Sequence, residues 1–325
     1  MGAYLLRRIL YMIPILIGVN IITFILFFFI NTPNDIARMH LGSKYVTQQA
    51  IQQWKEVHGY HLPLFYNEKE SGVEKLTKTI FVEKSLKLFL FDFGMSDNGR
   101  DIGQALRERA LPSLLIAVPT LIFGVLINIF IALMLVLFKD SVLDTVGIFV
   151  CVVLISISSL FFIVGGQYLF AKLLLWLPIS GYVDGVWGIK FLIIPILIGI
   201  LAGIGGGVRW YRALFIEELN RDYVRTARAK GLSEFSALFK HVLPNALIPI
   251  LTGVVVILPL LFLGSLLMES FFSIPGLGSY TIDAIREQDF AIVRVMVFLG
   301  TVLYMLGLLL TDLSYVWADP RVRLQ

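Results

Sequence analysis

Five long stretches without a charged residue dominate this sequence and limit what it can fold into. They are Ile9–Ile30, Leu111–Phe138, Val146–Ala171, Phe191–Val208 and Val242–Met268. Each is close to or above the length of about 20 residues that a helix needs to cross the hydrocarbon core of a bilayer. Only helices and closed barrels satisfy their backbone hydrogen bonds in that medium. The sequence therefore predicts an all-α integral membrane protein.

A sixth span is predicted to begin near Ile292. It carries Arg294 at one end and Asp312 toward the other, and we expect both side chains to reach the membrane interface. Glu269, just after the fifth stretch, is expected to be interfacial as well. The composition agrees with about six spans, because 58% of the residues are apolar and only 15% are charged. Ordinary soluble domains are less apolar and more charged than this.

Charged residues predict the orientation in the membrane. Arg7 and Arg8 precede the first stretch, which places the N-terminus in the cytoplasm. That stretch is interpreted as an uncleaved anchor, because it is longer than the apolar part of a signal peptide and no small-x-small cleavage site follows it. Six crossings return the C-terminus to the cytoplasm, which agrees with Arg321 and Arg323. Basic residues beside the membrane also explain the net charge of +4 without nucleic-acid binding.

This orientation predicts a long external segment at about residues 31–110 and a cytoplasmic loop at about residues 209–245. The external segment holds eleven Lys or Arg against ten acidic residues, and its conflict with the positive-inside tendency is mild because that tendency concerns short loops. Its apolar runs are too short to build a core alone, so we expect short helices packed on the membrane domain. No linker is evident, and one membrane domain over residues 1–325 is predicted.

Few residues suit catalysis or metal binding. Cys151 is the only cysteine, which excludes disulfides and Cys-rich metal sites. His58 and His61 lack the further ligands that complete a structural metal site, so a solvated pair is expected. The three serines within residues 156–159 have no histidine or carboxylate nearby in their stretch, which favours packing over an intramembrane enzyme.

The sequence also lacks a nucleotide-binding phosphate loop of the form GxxxxGK[ST]. The glycine cluster at residues 203–207 has no such lysine and is interpreted as close helix packing or a bend. We therefore predict no catalytic, cofactor or metal site on this chain.

The predicted cytoplasmic loop has a helical pattern of its own. One face is indicated by Leu214, Phe215, Leu219 and Tyr223. Gly231, after the small residues Ala227 and Ala229, is placed to end that helix in a left-handed turn. Ser233 can cap a second helix, and Pro244 would mark the break into the fifth membrane helix. The face of the second helix would be formed by Phe235, Leu238, Phe239 and Val242.

Two short helices that meet at a glycine would present small and apolar residues in basic surroundings. Residues 209–241 carry seven Lys or Arg against four acidic residues. Small side chains let the backbone of a partner protein approach, and apolar anchors supply affinity. An amphipathic helix lying on anionic lipid would explain the same pattern. The residues alone leave both interpretations open.

Residues 225–244 resemble the cytoplasmic loop motif of binding-protein-dependent ABC importer permeases. That motif reads Glu-Ala-Ala, three residues, Gly, nine residues, then Ile-x-Leu-Pro. The residues that match it are Ala227, Gly231, Leu243 and Pro244. Arg225 and Thr226 stand in place of Glu and the first Ala, and His241 stands in place of Ile.

These departures resemble the peptide branch of the family. In that branch the loop reads close to Arg-Thr-Ala-Arg-Ala-Lys-Gly-Leu and then His-Val-Leu-x-Asn-Ala-Leu-Ile-Pro, as residues 225–232 and 241–249 do here. Similarity to dipeptide and oligopeptide permeases extends over nearly the whole chain. The similar segments are Tyr4–Ile17, residues 93–112, Glu269–Gly278 and Asp319–Leu324. Because nickel and some oligosaccharide importers share this branch, those substrates stay open.

The resemblance implies a permease subunit that moves peptides across the bacterial plasma (inner) membrane. It implies a second homologous permease subunit, two ATPase subunits that bind ATP and Mg, and an extracytoplasmic binding protein that delivers the substrate. ATPase docking would centre on Ala227, Gly231 and Leu232. The remaining residues of the implied coupling loop are Arg225, Thr226, Ala229, Lys230, Ser233, Leu243 and Pro244. The sequence does not assign a substrate path.

An ion-coupled secondary transporter is the alternative of another class. Such a protein would normally carry ionisable groups in mid-membrane or paired broken helices. None of the five uncharged stretches offers such a group. The sequence therefore favours the ATP-driven importer.

Overall fold

The computed structural model describes residues 2–42 and 46–318. Over these residues the structure is helical, with an isolated β-bridge between Met95 and Asp101 and no β-strand. The all-α prediction is confirmed. Arg321 and Arg323 lie outside the described residues, as does the segment Asp319–Leu324.

The described residues form fifteen α-helices. The first five are α1 (Gly2–Ile25), α2 (Pro33–Leu41), α3 (Gln48–His58), α4 (Glu74–Thr77) and α5 (Ile80–Lys84). The next six are α6 (Ile102–Leu137), α7 (Val142–Ser156), α8 (Ser159–Gly166), α9 (Ile189–Leu219), α10 (Asp222–Ala229) and α11 (Glu234–Ala237). The last four are α12 (Leu243–Ile257), α13 (Leu266–Phe271), α14 (Leu277–Arg286) and α15 (Phe290–Ala318).

Turns of other helical types extend or join several of these helices. The π-helical turns are Leu26–Ile30, Gln167–Leu173 and Leu238–Val242. The 3-10 turns are Leu86–Leu90, Val186–Gly188 and Leu258–Leu263.

Five helical stretches are long and apolar enough to cross a membrane. They are Leu6–Ile30, Ile102–Leu137, Val186–Leu219, Glu234–Phe271 and Phe290–Ser314. A bent pair of helices, Val142–Ser156 and Ser159–Leu173, makes a sixth candidate if it is counted as one span. The prediction of about six spans is confirmed, and the third differs from the continuous helix that was expected.

The third predicted span bends by 92° between α7 and α8. Ile157 and Ser158 have extended backbones at the bend. The Ser158 hydroxyl accepts a hydrogen bond from the Leu160 N–H at 3.4 Å and so caps α8. Serine side chains bond nearby backbone groups in this way and compete with a continuous helix. The apolar pattern of Val146–Ala171 concealed this break.

The fourth and fifth stretches are longer than their uncharged parts. Leu214, Phe215 and Leu219 belong to α9, which continues from the membrane to Leu219, whereas Tyr223 lies on the separate helix α10. The single face predicted for these four residues is therefore wrong. The arginines after Val208 indicate where the membrane-spanning part ends. The helix itself continues beyond them, because charged residues do not end a helix.

Pro244 does not break the chain as predicted. The π-helical turn Leu238–Val242 leads directly into α12, and Pro244 occupies its first turn. A proline needs no N–H there, and the wider π turn makes room for its ring against the preceding carbonyl groups. The helical stretch from Glu234 therefore runs into the fifth span.

The chain divides into two compact units. Among the described residues, unit 1 comprises residues 2–42, 46–109 and 280–309, and unit 2 comprises residues 110–279 and 310–318.

Short helices of unit 1 begin and end at strong local signals. Thr32 and Asp35 form a capping box at the start of α2, with Pro33 at its first position. Thr47 caps α3, and Gly59 ends it in the left-handed conformation with φ of 73°. The short helices expected for residues 31–110 are present, and their position outside the membrane stays a prediction.

An aromatic cluster holds these short helices against α1 within unit 1. The ring of Phe24 lies 4.9 Å from that of Phe28 and 5.0 Å from that of Phe81. Phe28 in turn lies 5.8 Å from Tyr60, and all these rings except Phe81 are buried. Such pairs contribute about 0.5–1.5 kcal/mol each beyond the burial of apolar area. The aromatic residues of residues 31–110 thus form a core with the end of the first span.

Close backbone contacts characterise unit 2. A Cβ atom at Gly205 would lie 2.6 Å from the carbonyl oxygen of Cys151, so α7 and α9 touch where only glycine fits. A Cβ at Gly207 would lie 2.2 Å from the side-chain nitrogen of Asn128 on α6. The interpretation of the glycine cluster as close helix packing is confirmed for both glycines. Cys151 is buried in the same apolar core.

A buried ion pair also joins α7 to α9 in unit 2. Arg212 Nε lies 2.9 Å from Asp144 Oδ1, and Arg212 Nη2 lies 2.7 Å from Asp144 Oδ2. The paired geometry is that of the strong bidentate arginine–carboxylate interaction. In the sequence, Arg212 stands out only as one of the basic residues of the predicted loop.

Candidate functional site

The loop singled out by sequence folds as α10, a turn at Gly231 and α11; we call residues 222–237 the α10–α11 turn. Gly231 has φ of 83°. Its N–H donates to the Arg228 carbonyl at 2.9 Å, and the Leu232 N–H donates to the Ala227 carbonyl at 3.3 Å. This pair of bonds is the Schellman arrangement that ends helices at glycine. The predicted left-handed helix end at Gly231 is confirmed.

Ser233 starts the second helix, as predicted. Its hydroxyl accepts a hydrogen bond from the Ser236 N–H at 3.3 Å. A side-chain oxygen that accepts a hydrogen bond at this position satisfies one of the free N–H groups of the first helical turn. The α10–α11 turn is therefore fixed at its centre by local hydrogen bonds.

The inner face of the α10–α11 turn packs into the chain's own core. Val224 and Ala237 have no exposed surface, and Ala227 is 5% exposed. Val224 and Ala237 belong to a core cluster that includes Tyr211 and Phe215 of α9. Ala227, which the resemblance placed at the centre of docking, is thus an internal packing residue.

The outer face consists mainly of basic and small residues. Exposed members of the predicted loop are Arg225, Thr226, Ala229, Lys230, Gly231, Ser233 and Pro244, and Leu232 and Leu243 are half-buried. Arg228 pairs with Glu234 across the turn at 2.8 Å. Because such exposed pairs contribute little to stability, the buried face and the hydrogen bonds of the turn hold its shape.

Glu269 departs most from the expectation made for it. It was predicted to be interfacial but is only 1% exposed. Its Oε1 atom accepts a hydrogen bond from the Ser265 N–H at 3.0 Å, and its Oε2 atom accepts one from the Ser279 N–H at 3.0 Å. The prediction is wrong because a carboxyl group with backbone donors on both oxygens can be buried.

Glycines make room for this carboxyl group. A Cβ at Gly264 would lie 2.1 Å from Glu269 Oε1, and one at Gly276 would lie 2.2 Å from Oε2. Beside them the Ser113 hydroxyl accepts a hydrogen bond from the Leu277 N–H at 2.8 Å. We call this set of residues, 113, 264–265, 269 and 276–279, the Glu269 node. It fixes two irregular segments of unit 2 and explains the glycines of the Ser273–Gly278 segment.

One sequence signal pointed to the node. Glu269 is the only acidic residue between Glu234 and Asp283. A lone acid after a long apolar run, followed closely by a proline and two glycines, marks a buried acceptor as well as an interfacial one.

Unit 1 holds a different polar cluster around Asp97. Tyr60 donates its hydroxyl to Asp97 Oδ1 at 2.8 Å, and the Asp97 N–H donates to Asp289 Oδ2 at 3.1 Å. His40 Nε2 lies 3.7 Å from Asp97 Oδ2, an ion-pair distance when the imidazole is protonated. Asp289 also accepts from the Ile292 N–H at 3.2 Å and thereby caps α15. Both aspartates are buried.

The Asp97 cluster shifts the titration of its members. Burial raises the pKa of the Asp97 carboxyl, but its interactions with His40 and Tyr60 outweigh burial and leave that pKa below its ordinary value. The same carboxylate raises the pKa of His40 against the opposing effect of burial. Burial, followed by the charge of Asp97, raises the pKa of Asp289. Burial, followed by the same charge, raises that of Tyr60.

Two further expectations for unit 1 are corrected. Arg294 is 5% exposed, and its guanidinium donates to the carbonyl groups of Lys84 and Phe290 at 3.1 and 3.3 Å instead of reaching an interface. His58 is half-buried and stacked on Trp54, with 4.1 Å between ring centroids, so it is not part of a solvated pair. Among the described residues, no group of three or more His, Cys, Asp or Glu is arranged to hold a metal ion.

The fold and these sites define a multi-pass helical membrane protein with a rigid helix–turn–helix between two of its spans. A family model described as "Binding-protein-dependent transport system inner membrane component" matches residues 109–324. The N-terminal model of the same transport systems matches residues 1–86. The chain belongs to this family of inner-membrane permease components of ABC importers, and the resemblance found in the sequence is confirmed.

Relatives match along their whole length. A Brucella abortus (strain 2308) protein, provisionally named a peptide transport system permease, is 31% identical over 329 residues, which cover 99% of both chains. The dipeptide transport system permease protein of Alkalihalophilus pseudofirmus is 29% identical, with 99% of this chain and 100% of the relative covered. The oligopeptide transport system permease protein of Bacillus subtilis is 28% identical, with 99% of each covered. The protein is thus a multi-pass inner-membrane permease.

Proposed function

We propose that this chain carries peptides across the bacterial inner membrane as the permease subunit of an ABC importer. The names of its relatives support a peptide substrate, since they refer to peptide, dipeptide and oligopeptide transport systems. A further relative, 29% identical over 98% of both chains, is named as a glutathione transport permease of Salmonella choleraesuis. Glutathione is itself a tripeptide, so the named substrates share a short peptide chain.

The proposed assembly contains a second homologous permease, two ATPase subunits and an extracytoplasmic binding protein. ATP and Mg are bound by the ATPase subunits, because this chain has no phosphate loop. Residues 1–325 act as one permease, with residues 31–110 outside the cell and residues 209–245 in the cytoplasm. ATP-driven movement of the ATPase pair then shifts the equilibrium of the permease between its inward- and outward-facing states.

The docking proposal rests on the hydrogen bonds and buried contacts that fix the α10–α11 turn. A partner that pushes on this turn acts on a shape fixed by hydrogen bonds at Gly231 and Ser233. The buried residues Val224 and Ala237 connect the turn to the core of unit 2, so displacement of the turn displaces membrane helices with it. The exposed small residues Ala229 and Gly231 leave room for the partner's backbone.

Anchoring of α10 to lipid is the weaker interpretation of this surface. A helix that lies on a bilayer inserts its apolar face between the lipids. The apolar residues Val224 and Ala227 of α10 are instead buried in the chain's own core. The exposed face offers Arg225, Thr226 and Arg228, which suit an acidic partner surface.

Substitution of Gly231 by Trp tests the docking role. A Cβ at Gly231 would meet no atom within 4 Å, so a large side chain would project outward into the space proposed for the ATPase. We expect insertion and folding to survive, copurification of the ATPase to be lost, and peptide uptake to fall by about tenfold or more, the effect of losing more than about 1.4 kcal/mol of coupling.

Two control variants separate docking from backbone strain. Gly72 also has a positive φ, of 62°, and open space around its Cβ position, so Gly72→Trp carries the same strain on unit 1. Gly231→Asn keeps a small residue that tolerates the left-handed conformation. Both controls should retain uptake. Normal ATPase binding and uptake by Gly231→Trp would contradict the docking role.

The substrate proposal is tested by uptake of a labelled short peptide in cells that lack this chain and in cells with the chain restored. We expect uptake that requires both the chain and ATP. Uptake that requires the chain but survives loss of the ATPase would instead favour an ion-coupled transporter. If peptide uptake does not depend on the chain, nickel and oligosaccharide uptake are the next measurements.

A further inference from the structure

Two adjoining cavities lie inside unit 2. One has a volume of about 660 Å³ and the other about 480 Å³. They have four lining residues in common, which are Thr120, Leu121, Gly199 and Ile257. Both volumes fall within the range of about 300–1,000 Å³ that is usual for sites that bind small molecules. The shared residues place the two cavities next to each other between α6, α9 and α12, and we call the pair the passage.

One continuous face of α6 lines this passage. The lining residues of α6 are Ser113, Ile116, Ala117, Thr120, Leu121, Gly124, Val125 and Asn128. Their spacing of three and four residues is that of a single helical face. The 15 residue steps from Ser113 to Asn128 extend over about 22 Å at about 1.5 Å per residue. This length covers most of a hydrocarbon core of about 30 Å.

Two polar atoms on this face have no hydrogen-bond partner among the described residues. They are Thr120 Oγ1 and Asn128 Oδ1, and both are buried. Asn128 as a residue is only 8% exposed. Elsewhere in the spans, Thr252 and Thr301 donate their hydroxyls to a carbonyl of their own helix at 2.9 and 2.8 Å. Because buried polar atoms are nearly always paired, those of Thr120 and Asn128 suit a ligand that brings donors into the passage.

The first cavity also has polar lining residues, which are Ser113, Ser159, Ser265 and Glu269, and the second has the aromatic residues Trp210 and Tyr211. The rest of the lining is small or apolar. Gly199, Gly203 and Gly207 follow one another at four-residue intervals on α9, and Gly253 faces the passage from α12. Such walls contact side chains of many shapes without selecting one by hydrogen bonding. The feature common to all short peptides is the main-chain N–H group, which an acceptor on α6 can bind.

We propose that this face of α6 lines the path of the transported peptide, and that Thr120 and Asn128 accept hydrogen bonds from its main-chain N–H groups. The proposal rests on the peptide import proposed above and adds where in this chain the peptide passes. Contacts about 12 Å apart along the helix, the rise of eight residues, would hold the peptide in steps during its passage.

Filling the passage without disturbing the helix tests the path. A Cβ at Gly203 meets no atom within 4 Å, and Gly203 lines the second cavity. Gly206, three residues away on α9, is equally open but lines neither cavity. We expect Gly203→Leu to lower peptide uptake by about tenfold or more, which corresponds to a blocked route costing over about 1.4 kcal/mol. Gly206→Leu should transport normally.

The polar contacts are tested with a tripeptide and its analogue methylated at one peptide nitrogen, which lacks that N–H donor. In the unaltered protein we expect the analogue to be taken up about three- to tenfold more slowly, as the loss of one hydrogen bond predicts. Thr120→Val or Asn128→Leu should reduce this ratio. Thr252→Val is the control, because the Thr252 hydroxyl is bonded within its own helix. The same binding protein is used throughout, so a changed ratio originates in the permease.

The outcomes separate this inference from the proposed function. Peptide uptake that does not require the chain at all contradicts the proposed function. Uptake that requires the chain but is unaffected by Gly203→Leu contradicts the path alone, as does an unchanged methylation ratio in both polar variants. Loss of the partner subunits from the purified Gly203→Leu complex would overturn the path by assigning this face to subunit contact.

Discussion

Units 1 and 2 bury polar side chains in different ways. In unit 1 the carboxyl group of Asp97 contacts other side chains that titrate, above all His40 and Tyr60. In unit 2 the carboxyl group of Glu269 bonds to backbone N–H groups in a space that glycines leave open. The stability of unit 1 should therefore depend on pH. The stability of unit 2 should instead fall when a substitution alters the packing around its buried carboxyl group.

The difference follows from the surroundings that each unit is built from. Residues 31–110 mix aromatic and charged residues, so partners for a buried charge come from neighbouring side chains. Apart from the Asp144–Arg212 pair, the spans of unit 2 contain few such side chains, and the backbone is the main source of donors. The following predictions test this comparison, from the largest expected effect to the smallest.

The largest effect is expected for Glu269→Ala. The change leaves the buried N–H group of Ser279 and the partly buried N–H group of Ser265 without their acceptor, and each costs about 1–3 kcal/mol. The free energy of unfolding should fall by about 4 kcal/mol in total, measured as a lower thermal midpoint of the purified protein. Glu234→Ala, at an exposed position of the same unit, should change stability by less than about 0.5 kcal/mol. Equal stability of the two variants would show that the node does not support unit 2.

A slightly smaller loss is expected for Arg212→Ala. It leaves the Asp144 carboxylate buried without its cation, which costs about 3 kcal/mol at the lower end for buried pairs. Since Asp144→Ala with Arg212→Ala removes both charges, the double variant should recover part of that loss. Thermal unfolding of the single and double variants measures the coupling. A double variant as unstable as the sum of the two single variants would indicate no interaction between α7 and α9 here.

A modest effect is expected in unit 1 for Tyr60→Phe. The variant keeps the buried ring but removes the hydrogen bond to Asp97, which should cost about 1 kcal/mol. Tyr66→Phe is the matched control, since Tyr66 is half exposed. Hydrogen exchange of the amides in α2 and α3 reports on this unit separately from the spans. Protection that stays equal in the two variants would argue against the bond.

The smallest effect is the pH dependence of unit 1. The pKa of His40 is raised in the folded protein, so its contribution is fully present below the ordinary pKa of histidine and is lost as pH rises through the folded value. Facing groups are Asp97, Asp289 and Tyr60. We expect α2 and α3 to exchange amide hydrogens faster, at equal intrinsic rates, when pH rises from about 6 to about 8. His40→Gln should flatten this dependence, and an unchanged slope would remove His40 as its cause.

Acid should act on the same unit through Asp97. The pKa of Asp97 is lowered in the folded protein, so the stability it provides is present above the ordinary aspartate pKa and is lost as pH falls through the folded value. Unit 1 should therefore be most stable between these two limits. Asp97→Asn should weaken both the acid and the alkaline dependence.

The sequence predicted the helical class and the number of spans because apolar length is a local property. It also predicted the helix end at Gly231 and the cap at Ser233, since both depend on a few adjacent residues. The bend between α7 and α8 was not predicted, because an apolar run reads alike whether its helix is straight or broken. The burial of Arg294 was missed because one of its acceptors, the Lys84 carbonyl, lies elsewhere in the chain. The burial of Glu269 was missed although its donors are near in sequence, because a local pattern does not show that the chain folds around the carboxyl group.

The docking residues illustrate the same division. Ala227 and Gly231 both match the loop motif, yet one is buried in the core and the other is exposed at the turn. A motif records which residue stands at a position and not which face of the helix meets the protein's interior. Only the packing of α10 on α9 separated a residue that supports the turn from one that a partner can touch.

By itself, the sequence determined that this protein crosses the membrane about six times and belongs with the importer permeases. Helix length, charge placement and a loop motif all act through neighbours in the chain. The tertiary structure alone decided which glycines hold space for the Glu269 carboxyl and which helices enclose the passage along α6. It also decided that one side-chain oxygen each of Thr120 and Asn128, two residues that line the passage, is buried without a partner among the described residues. These features depend on how separate segments pack together in space. The order of residues along the chain does not give the distances between those segments.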